Sequence, residues 1–185
     1  MKMLILYNSR YGQTARIADR ISEIARKELV DARACPIGAC PEDVELEKYE
    51  AIVIAGPVYY GKFRKPLVRF VKQHLQSLAA CHSALVAVSL SAKFNRDEAE
   101  GHVRTLIADT GWMPETFTCV GGAETFTQYG FFTGYIMRKI AREQGRGGDF
   151  KQDREYTDWD ALDQFTREFV AKVGTVTASV AAVKP

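Results

Sequence analysis

The sequence predicts an α/β fold in which an open parallel sheet carries helices on both faces. Five apolar, β-rich runs alternate with helical patterns along the chain, and this alternation is typical of consecutive βα units. Residues 4–6, 52–54 and 85–88 are continuously apolar, as a strand covered on both faces requires. The predicted strands are residues 3–7, 30–34, 51–55, 84–90 and 117–121.

The helices are predicted from apolar residues at three- and four-residue spacing. Pro66 suits the first turn of one helix, because a proline there loses no intrahelical hydrogen bond. Asn95 followed by Glu98 resembles a capping box at the start of another helix. The predicted helices are residues 14–29, 66–78, 95–108 and 158–173, with a short helical turn over residues 41–48.

Length and composition indicate one globular domain. The chain has 185 residues, of which 46% are hydrophobic and 26% charged, which excludes disordered and fibrous classes. No run approaches the ~18 consecutive apolar residues of a membrane span. We predict a single domain over residues 1–173, with an insertion over residues 123–156 that is too long for an ordinary connection. Residues 174–185 are predicted to form a flexible tail.

Charge and cysteine usage narrow the function classes. A net charge of +2 is too mild to indicate nucleic-acid binding. The four cysteines have no C-x-x-C spacing and no nearby paired histidines, so we expect buried thiols rather than a metal site or a disulfide framework. The first residues lack a signal-peptide cleavage pattern, and we therefore expect the protein in the cytoplasm.

The loop after the first predicted strand offers an anion site. Residues 8–14 read N-S-R-Y-G-Q-T and run directly into a helix, whose N-terminus presents free N–H groups and the positive end of its dipole. The sequence contains neither a G-K-[ST] P-loop nor a G-x-G-x-x-G fingerprint at this point. Taken by itself, this sequence pattern is equally typical of an ordinary polar turn that caps a helix. The candidate residues are Ser9, Arg10, Tyr11, Gly12, Gln13 and Thr14.

Two further loops follow the third and fourth predicted strands. Residues 56–62 read G-P-V-Y-Y-G-K, where Gly and Pro allow a tight backbone and the tyrosines can stack on a planar ring. Residues 89–94 follow the fourth strand. All three loops lie at carboxyl ends of strands, where open α/β sheets bind ligands. The candidates here are Pro57, Val58, Tyr59, Tyr60, Gly61, Ser89, Leu90, Ser91 and Ala92.

These loops resemble those of the flavodoxin family. The S-x-x-G-x-T spacing at residues 9–14 is similar to the family's phosphate loop, and G-P-V-Y-Y-G is similar to its second flavin loop. Tyr11 departs from the family pattern, which usually has a hydroxyl or acidic residue there. The resemblance implies a doubly wound five-stranded sheet in the order 2-1-3-4-5, with the insertion associated with strand five. It also implies FMN as the cofactor, bound by the candidate residues of the three loops.

The insertion and the net charge separate this chain from electron-carrying flavodoxins, which are usually acidic and dock on basic partners. Residues 131–146 contain four basic residues and one acidic residue. A helix with this charge is typical of a membrane-surface segment, of the wall of a pocket for an acidic apolar molecule, or of an ordinary solvated surface.

A more specific resemblance covers roughly residues 2–170. The opening L-I-L-Y-N-S-R-Y-G-Q-T, the G-P-V-Y-Y-G-K loop, the G-W-M-P string, the insertion and the E-Y-T-D-W-D string before the last helix are together similar to menaquinone-dependent protoporphyrinogen IX dehydrogenases. Residues 124–129 are less basic than the family pattern. The resemblance implies FMN-dependent oxidation of protoporphyrinogen IX to protoporphyrin IX in haem biosynthesis, with a quinone as acceptor. No catalytic side chain is implied, because the flavin carries the chemistry.

The implied substrate is an apolar macrocycle with two propionates, so cations and aromatic side chains suit its binding site. The resemblance also leaves open a peripheral contact with the inner face of the cell membrane and assembly into a homo-oligomer. Two alternatives remain at this point: an NAD(P)H:quinone reductase and a non-enzymatic FMN electron-transfer module. The candidate substrate residues are Lys62, Arg64, Tyr135, Arg138, Lys139 and Arg142.

Overall fold

Five parallel strands form the central sheet in the order β2-β1-β3-β5-β6, which confirms the predicted order 2-1-3-4-5. The computed structural model describes residues 1–39, 45–127, 135, 138–139, 142–143, 145, 150 and 152–182, with side chains through residue 175. The strands are β1 (Lys2–Tyr7), β2 (Asp31–Pro36), β3 (Ala51–Tyr59), β4 (Lys62–Phe63), β5 (His82–Ser89), β6 (Thr116–Gly121), β7 (Ala123–Glu124) and β8 (Arg154–Glu155).

The sheet is buried on both faces, which explains the continuous apolar runs. Successive strand side chains point to opposite faces, so Met3 and Ile5 of β1 belong to one core cluster and Leu4 and Leu6 to the other. The first cluster packs against the first and last helices of the chain, and the second packs against the helices between β4 and β6. Each face therefore has its own hydrophobic core.

The helices match the predicted order but differ in their bounds. Asn95 caps one of them, accepting a hydrogen bond from the Glu98 backbone N–H at 3.2 Å, as predicted. The helix predicted over residues 66–78 is divided, because His74 leaves the helical conformation with φ −112° and ψ 24°. The helices are α1 (Gln13–Lys27), α2 (Lys65–Gln73), α3 (Leu75–Ala79), α4 (Ser91–Phe94), α5 (Arg96–Thr110) and α6 (Trp159–Ala182), with a 3₁₀ turn at Leu46–Lys48.

The third strand is longer than predicted and ends in a hairpin that the sequence pattern did not reveal. Beyond the parallel sheet, β3 continues to Tyr59 and pairs antiparallel with β4. The two-residue turn consists of Tyr60 at φ 51° and Gly61 at φ 75°. Both residues have positive φ, as a type I′ hairpin turn requires. The turn therefore holds an aromatic residue in a backbone region that favours glycine.

Near its two ends, the insertion forms a separate two-stranded ladder of β7 and β8. Asp153 accepts hydrogen bonds from the backbone N–H and the hydroxyl of Thr127, each at 2.9 Å. Arg154 lies over the rings of Phe126 and Phe150. These contacts fasten both ends of the insertion, while most of the helical segment considered above, residues 131–146, lies outside the described residues.

The last helix extends nine residues past its predicted end at residue 173. The backbone is helical through Ala182, whereas the sequence predicted a tail from residue 174. Gly174 is tolerated inside the helix at a cost of about 1 kcal/mol, and the small residues that follow contain no proline before Pro185. In the described part of the chain, no helix combines the length and apolarity needed to span a membrane.

One cysteine prediction is wrong. Cys35, near the end of β2, is disulfide-bonded, whereas Cys81 and Cys119 carry free, half-buried thiols; Cys40 lies outside the described residues. The spacing of the cysteines in the sequence did not reveal the disulfide bond, because two cysteines can be bonded only where the backbone brings their Cβ atoms close together.

A substitution at Gly121 tests the close packing at the end of β6. A Cβ atom there would overlap the carbonyl oxygen of Tyr156 and lie 2.8 Å from its carbonyl carbon. We expect Gly121→Ala to lower the free energy of unfolding by about 1–3 kcal/mol, because backbone cannot move aside as a side chain can. Urea unfolding measures the change. The control is Gly174→Ala, which meets nothing within 4 Å and should be slightly stabilising; equal effects of the two changes would contradict the packing.

Asp163 of α6 and Arg20 of α1 join the two helices by hydrogen bonds of 2.7 and 2.8 Å. The hydrogen bonds from Arg20 hold the pKa of Asp163 below its ordinary value. A carboxyl with a lowered folded-state pKa stabilises the fold above its unfolded-state pKa of about 3.9, and this contribution disappears as the pH falls through the folded-state pKa.

We therefore expect Asp163→Asn to lower the free energy of unfolding by about 1–2 kcal/mol at pH 7. The difference from the unsubstituted protein should shrink below about pH 4. Urea unfolding at pH 7 and at pH 3.5 measures both values. Glu23→Gln, which alters an exposed carboxylate that also faces Arg20, is the control and should have little effect. A difference for Asp163→Asn that is independent of pH would refute the pairing as its cause.

Candidate functional site

The three predicted loops meet around one cavity of about 770 Å³ at the carboxyl edge of the sheet. Parallel pairing places the ends of β1, β3 and β5 side by side, so residues far apart in sequence share one wall. The cavity is lined by Ser9, Arg10, Tyr11, Gln13, Thr14, Pro57, Val58, Tyr59, Tyr60, Gly61, Arg64, Val88, Ser89, Leu90, Ser91, Phe94, Asn95, Glu98, His102, Gly122, Ala123 and Thr125.

All of the predicted loop candidates line this cavity except Gly12 and Ala92. Gly12 shapes the loop through its backbone, with φ 88° at the residue immediately before α1. Ala92 donates its backbone N–H to the hydroxyl of Ser89 at 3.1 Å, which ties the third loop to the end of β5. Gly12 and Ala92 therefore help to set the backbone shape of the loops and do not line the cavity.

The end of the cavity at α1 has unused hydrogen-bonding capacity. Gly12 provides no side-chain cap for α1, and no acidic residue stands in the first turn. The first N–H groups of a helix have no partner within it. Ser9 adds a side-chain Oγ that is buried and has no hydrogen-bond partner among the described residues. A buried hydroxyl without a partner is costly, so a bound anion with acceptor oxygens would complete this corner.

Aromatic residues form the neighbouring wall. The rings of Tyr11 and Tyr59 meet edge to face with centroids 6.2 Å apart, and the guanidinium of Arg10 lies 5.1 Å from the Tyr11 centroid. Tyr60 stands at the tip of the β3–β4 hairpin and is 73% exposed. A planar ligand would therefore find stacking surfaces beside the anion corner.

Gln13 lies in the cavity wall, but its side chain also serves the fold. Its Nε2 donates to Glu155 at 3.0 Å and to Thr157 at 2.7 Å, and Thr157 donates to the Gly121 carbonyl at 2.7 Å. Partial burial raises the pKa of Glu155, but hydrogen bonds from Arg16 and Gln13 outweigh it, so that the pKa lies below its ordinary value. Glu155 and Thr157 of the E-Y-T-D-W-D string thus hold the first turn of α1 in place through Gln13.

The part of the wall formed by α5 and the end of β6 was not predicted from the sequence. Gly122 and Ala123 directly follow β6, so the rule that located the other loops could also have located them. Glu98 and His102 are four residues apart on α5, and the His102 Nε2 lies 3.7 Å from a Glu98 carboxylate oxygen. No sequence signal marked this pair, because charged residues on one helix face usually meet only solvent.

The predicted substrate residues do not gather at one place. Arg64 lines the cavity and donates to the Asn8 side chain at 3.0 Å, whereas Lys62 lines a neighbouring groove. Tyr135, Arg138, Lys139 and Arg142 have helical backbone and exposed side chains. Arg142 lies 5.4 Å from the Phe150 ring centroid, and Lys139 lies 3.8 Å from Glu143. In the described part of the structure, these four insertion residues line neither cavity.

Comparison with solved structures identifies the fold. A flavodoxin from the domain Archaea superposes with a TM-score of 0.56 over 94% of this chain and 99% of its own, at 17% sequence identity. Identity this low supports the shared architecture alone.

Sequence comparisons are more specific. A family model described as a flavodoxin domain matches residues 4–151. A protoporphyrinogen IX dehydrogenase [quinone] of Escherichia coli K12 is 26% identical over 91% of this chain and 94% of its own length. A protein of the same name from Leishmania major is 30% identical over 92% of this chain and 75% of its own length. The chain therefore belongs to the flavodoxin domain family and, within it, to the family of quinone-dependent protoporphyrinogen IX dehydrogenases.

Proposed function

We propose that this protein oxidises protoporphyrinogen IX to protoporphyrin IX with FMN as its cofactor and a quinone as the electron acceptor. The observation that carries the proposal is the cavity at the carboxyl edge of the sheet, with an unsatisfied polar corner and tyrosines in the neighbouring wall. The relatives named for this reaction match about nine-tenths of the chain, and flavodoxin domains bind FMN.

The α1 end of the cavity is suited to the FMN phosphate. We assign the phosphate contacts to the Ser9 and Thr14 hydroxyls and to the backbone N–H groups at the start of α1. The helix dipole and the orphan amide groups favour a dianion there without a bound cation. Gly12 permits the backbone to turn toward the ligand, because its φ of 88° is strained for other residues.

The other end of the cavity is suited to the flavin ring. Tyr59 and Tyr60 offer aromatic surface, and Pro57 and Val58 offer an apolar wall beside it. The third loop, fixed by the Ser89–Ala92 hydrogen bond, contributes Ser89, Leu90 and Ser91 to the same cavity. When bound, FMN accepts two electrons at a time from an organic substrate and passes them to a quinone. The residues of this chain orient the ring and limit its contact with water.

We propose Arg64 as a substrate-positioning residue, because it is half-buried in the cavity wall and held by Asn8. The exposed cations Arg138, Lys139 and Arg142, together with Tyr135, are proposed to contact an anionic membrane surface. Their exposure and the net positive charge of residues 131–146 support such contacts. A quinone dissolved in a bilayer makes a peripheral membrane contact useful, since basic segments are attracted to anionic lipid.

Steady-state turnover tests the proposed activity. We expect the FMN-loaded protein to form fluorescent protoporphyrin IX from protoporphyrinogen IX under anaerobic conditions only when a menaquinone analogue is added. Protein without FMN is the control and should be inactive. Rapid reduction of the bound flavin by NADPH, without porphyrin formation from protoporphyrinogen, would contradict the proposal and favour an NAD(P)H:quinone reductase.

Ser9→Ala tests the phosphate corner. The Ser9 Oγ is buried without a partner among the described residues, so its removal should not lower the unfolding free energy of the FMN-free protein and should raise it slightly. Loss of one hydrogen bond to a charged phosphate should raise the FMN dissociation constant roughly 10- to 100-fold. Quenching of FMN fluorescence measures the affinity. Ser77→Ala is the control, because Ser77 donates to Glu47 on an exposed surface away from the cavity; equal affinities for all three proteins would count against the assignment.

Tyr60→Gly separates backbone strain from ligand contact. Glycine should relieve the positive φ and raise the free energy of unfolding by up to about 1 kcal/mol, while FMN binds more weakly because the aromatic wall is lost. Leu29→Gly is a matched control, since Leu29 also has positive φ, at 61°, and is 94% exposed. It should gain similar stability without a change in FMN affinity. Unaltered FMN affinity in Tyr60→Gly would remove Tyr60 from the site.

A further inference from the structure

We call the cavity at the carboxyl edge of the sheet the flavin cavity. A second cavity of about 520 Å³ lies beside it, between α2 and α5. The two cavities share Gly61 at the hairpin tip and His102 on α5. The two cavities therefore meet at these residues, and one extended molecule that lies over them can contact both cavities. We call the second cavity the α2–α5 groove. None of the predicted FMN residues except Gly61 contributes to it.

The groove has a cationic rim. Lys62, Lys65, Arg69 and Lys72 line it and are exposed, and Asp109 is the one acidic residue along the described wall. Lys65, Arg69 and Lys72 follow one another at spacings of four and three residues, which places them on one face of α2. Although the whole chain has a net charge of +2, residues 62–73 contain five Lys and Arg and no Asp or Glu.

These cations have no anionic partner within the described structure. Elsewhere, Arg16, Arg20 and Lys27 pair with carboxylates at 2.7–2.8 Å. No ion pair joins any of the four groove cations to a described residue. Positive charges gathered around a cleft repel one another and concentrate a positive potential inside it. An anion in the groove would be attracted to all four.

The floor of the groove is apolar. Phe63 is 8% exposed and Leu106 is 2% exposed, and the half-buried Val68 lies with them along the wall. An inorganic anion would gain nothing from such a floor, whereas an apolar acid would gain from both floor and rim. The groove therefore fits a ligand that carries carboxylates on a largely hydrocarbon body.

We propose that the α2–α5 groove binds the propionate edge of the tetrapyrrole substrate while the macrocycle extends past Gly61 and His102 toward the flavin. This inference rests on the proposed function and deepens it. The concave shape of the groove and its position next to the flavin cavity, with which it shares Gly61 and His102, favour an inserted small molecule over a flat lipid surface. The groove then orients the substrate, and Arg69 and Lys72 are positioning residues that do not touch the reacting atoms.

A redox-inert ligand tests the groove independently of turnover. Mesoporphyrin IX, a dicarboxylic tetrapyrrole, is titrated into the FMN-loaded protein and its binding followed by fluorescence, in parallel with its dimethyl ester. We expect the diacid to bind more tightly than the ester. The double variant Arg69→Gln/Lys72→Gln should weaken diacid binding roughly fivefold to thirtyfold, as expected for two lost charge contacts near a surface, and should leave ester binding unchanged.

The matched control is Lys2→Gln/Arg33→Gln, which removes the same charge from exposed residues of β1 and β2 and should leave diacid binding unchanged. In turnover, the groove variant should raise the KM for protoporphyrinogen IX without changing the KM for the menaquinone analogue. If the groove variant weakens diacid binding but neither it nor the unsubstituted protein oxidises protoporphyrinogen IX, the result supports the groove proposal and contradicts the proposed function.

Equal binding of diacid and ester, or equal weakening in the two double variants, would overturn the groove proposal. A third outcome would replace it. If Arg69→Gln/Lys72→Gln reduces flotation with vesicles of phosphatidylcholine and phosphatidylglycerol but leaves diacid affinity unchanged, this face is a membrane contact and not a substrate site.

Discussion

Parallel pairing of β1, β3 and β5 is the constraint on which the site depends. In a parallel sheet every strand ends at the same edge, so the register that buries Leu4, Ile52 and Leu85 also brings the three following loops together. Beyond this edge the parallel pairing stops, so the loops leave backbone N–H groups and side chains facing a common space. Core packing and ligand binding therefore share one cause, and substitutions that shift a strand would disturb both.

The architecture was predictable from sequence because the three central strands, β1, β3 and β5, are covered on both faces and carry unbroken apolar runs. The loop positions followed from the same pattern. The hairpin at Tyr60 and Gly61 was not predictable, since tyrosine does not ordinarily mark a turn with positive φ. Nor was the contribution of His102, because a lone histidine on a helix carries no signal of what lies opposite. The disulfide bond of Cys35 likewise depends on backbone geometry that spacing does not reveal.

Charge distribution divides the cations of the described residues into those with carboxylate partners and those without. Arg20 binds Asp163 and Arg16 binds Glu155, which join α1 to the last helix and to the segment before it. Along α2 the basic residues have no such carboxylates among the described residues, and they surround a groove next to the flavin cavity. Unpaired charge on a helix of a nearly neutral protein costs some stability through repulsion. An anionic substrate gives that arrangement a physical reason.

The central claim is that the cavity at the carboxyl edge holds FMN and transfers electrons from a porphyrinogen to a quinone. The most direct measurement is an anaerobic titration of the FMN-loaded protein with protoporphyrinogen IX, followed through the visible absorbance of the flavin. We expect that absorbance to be lost as the porphyrinogen is added, and to recover, with the appearance of porphyrin fluorescence, when a menaquinone analogue is supplied. A bound flavin that keeps its full absorbance throughout the titration would contradict the proposed reaction, and a protein that binds no FMN would contradict the site itself.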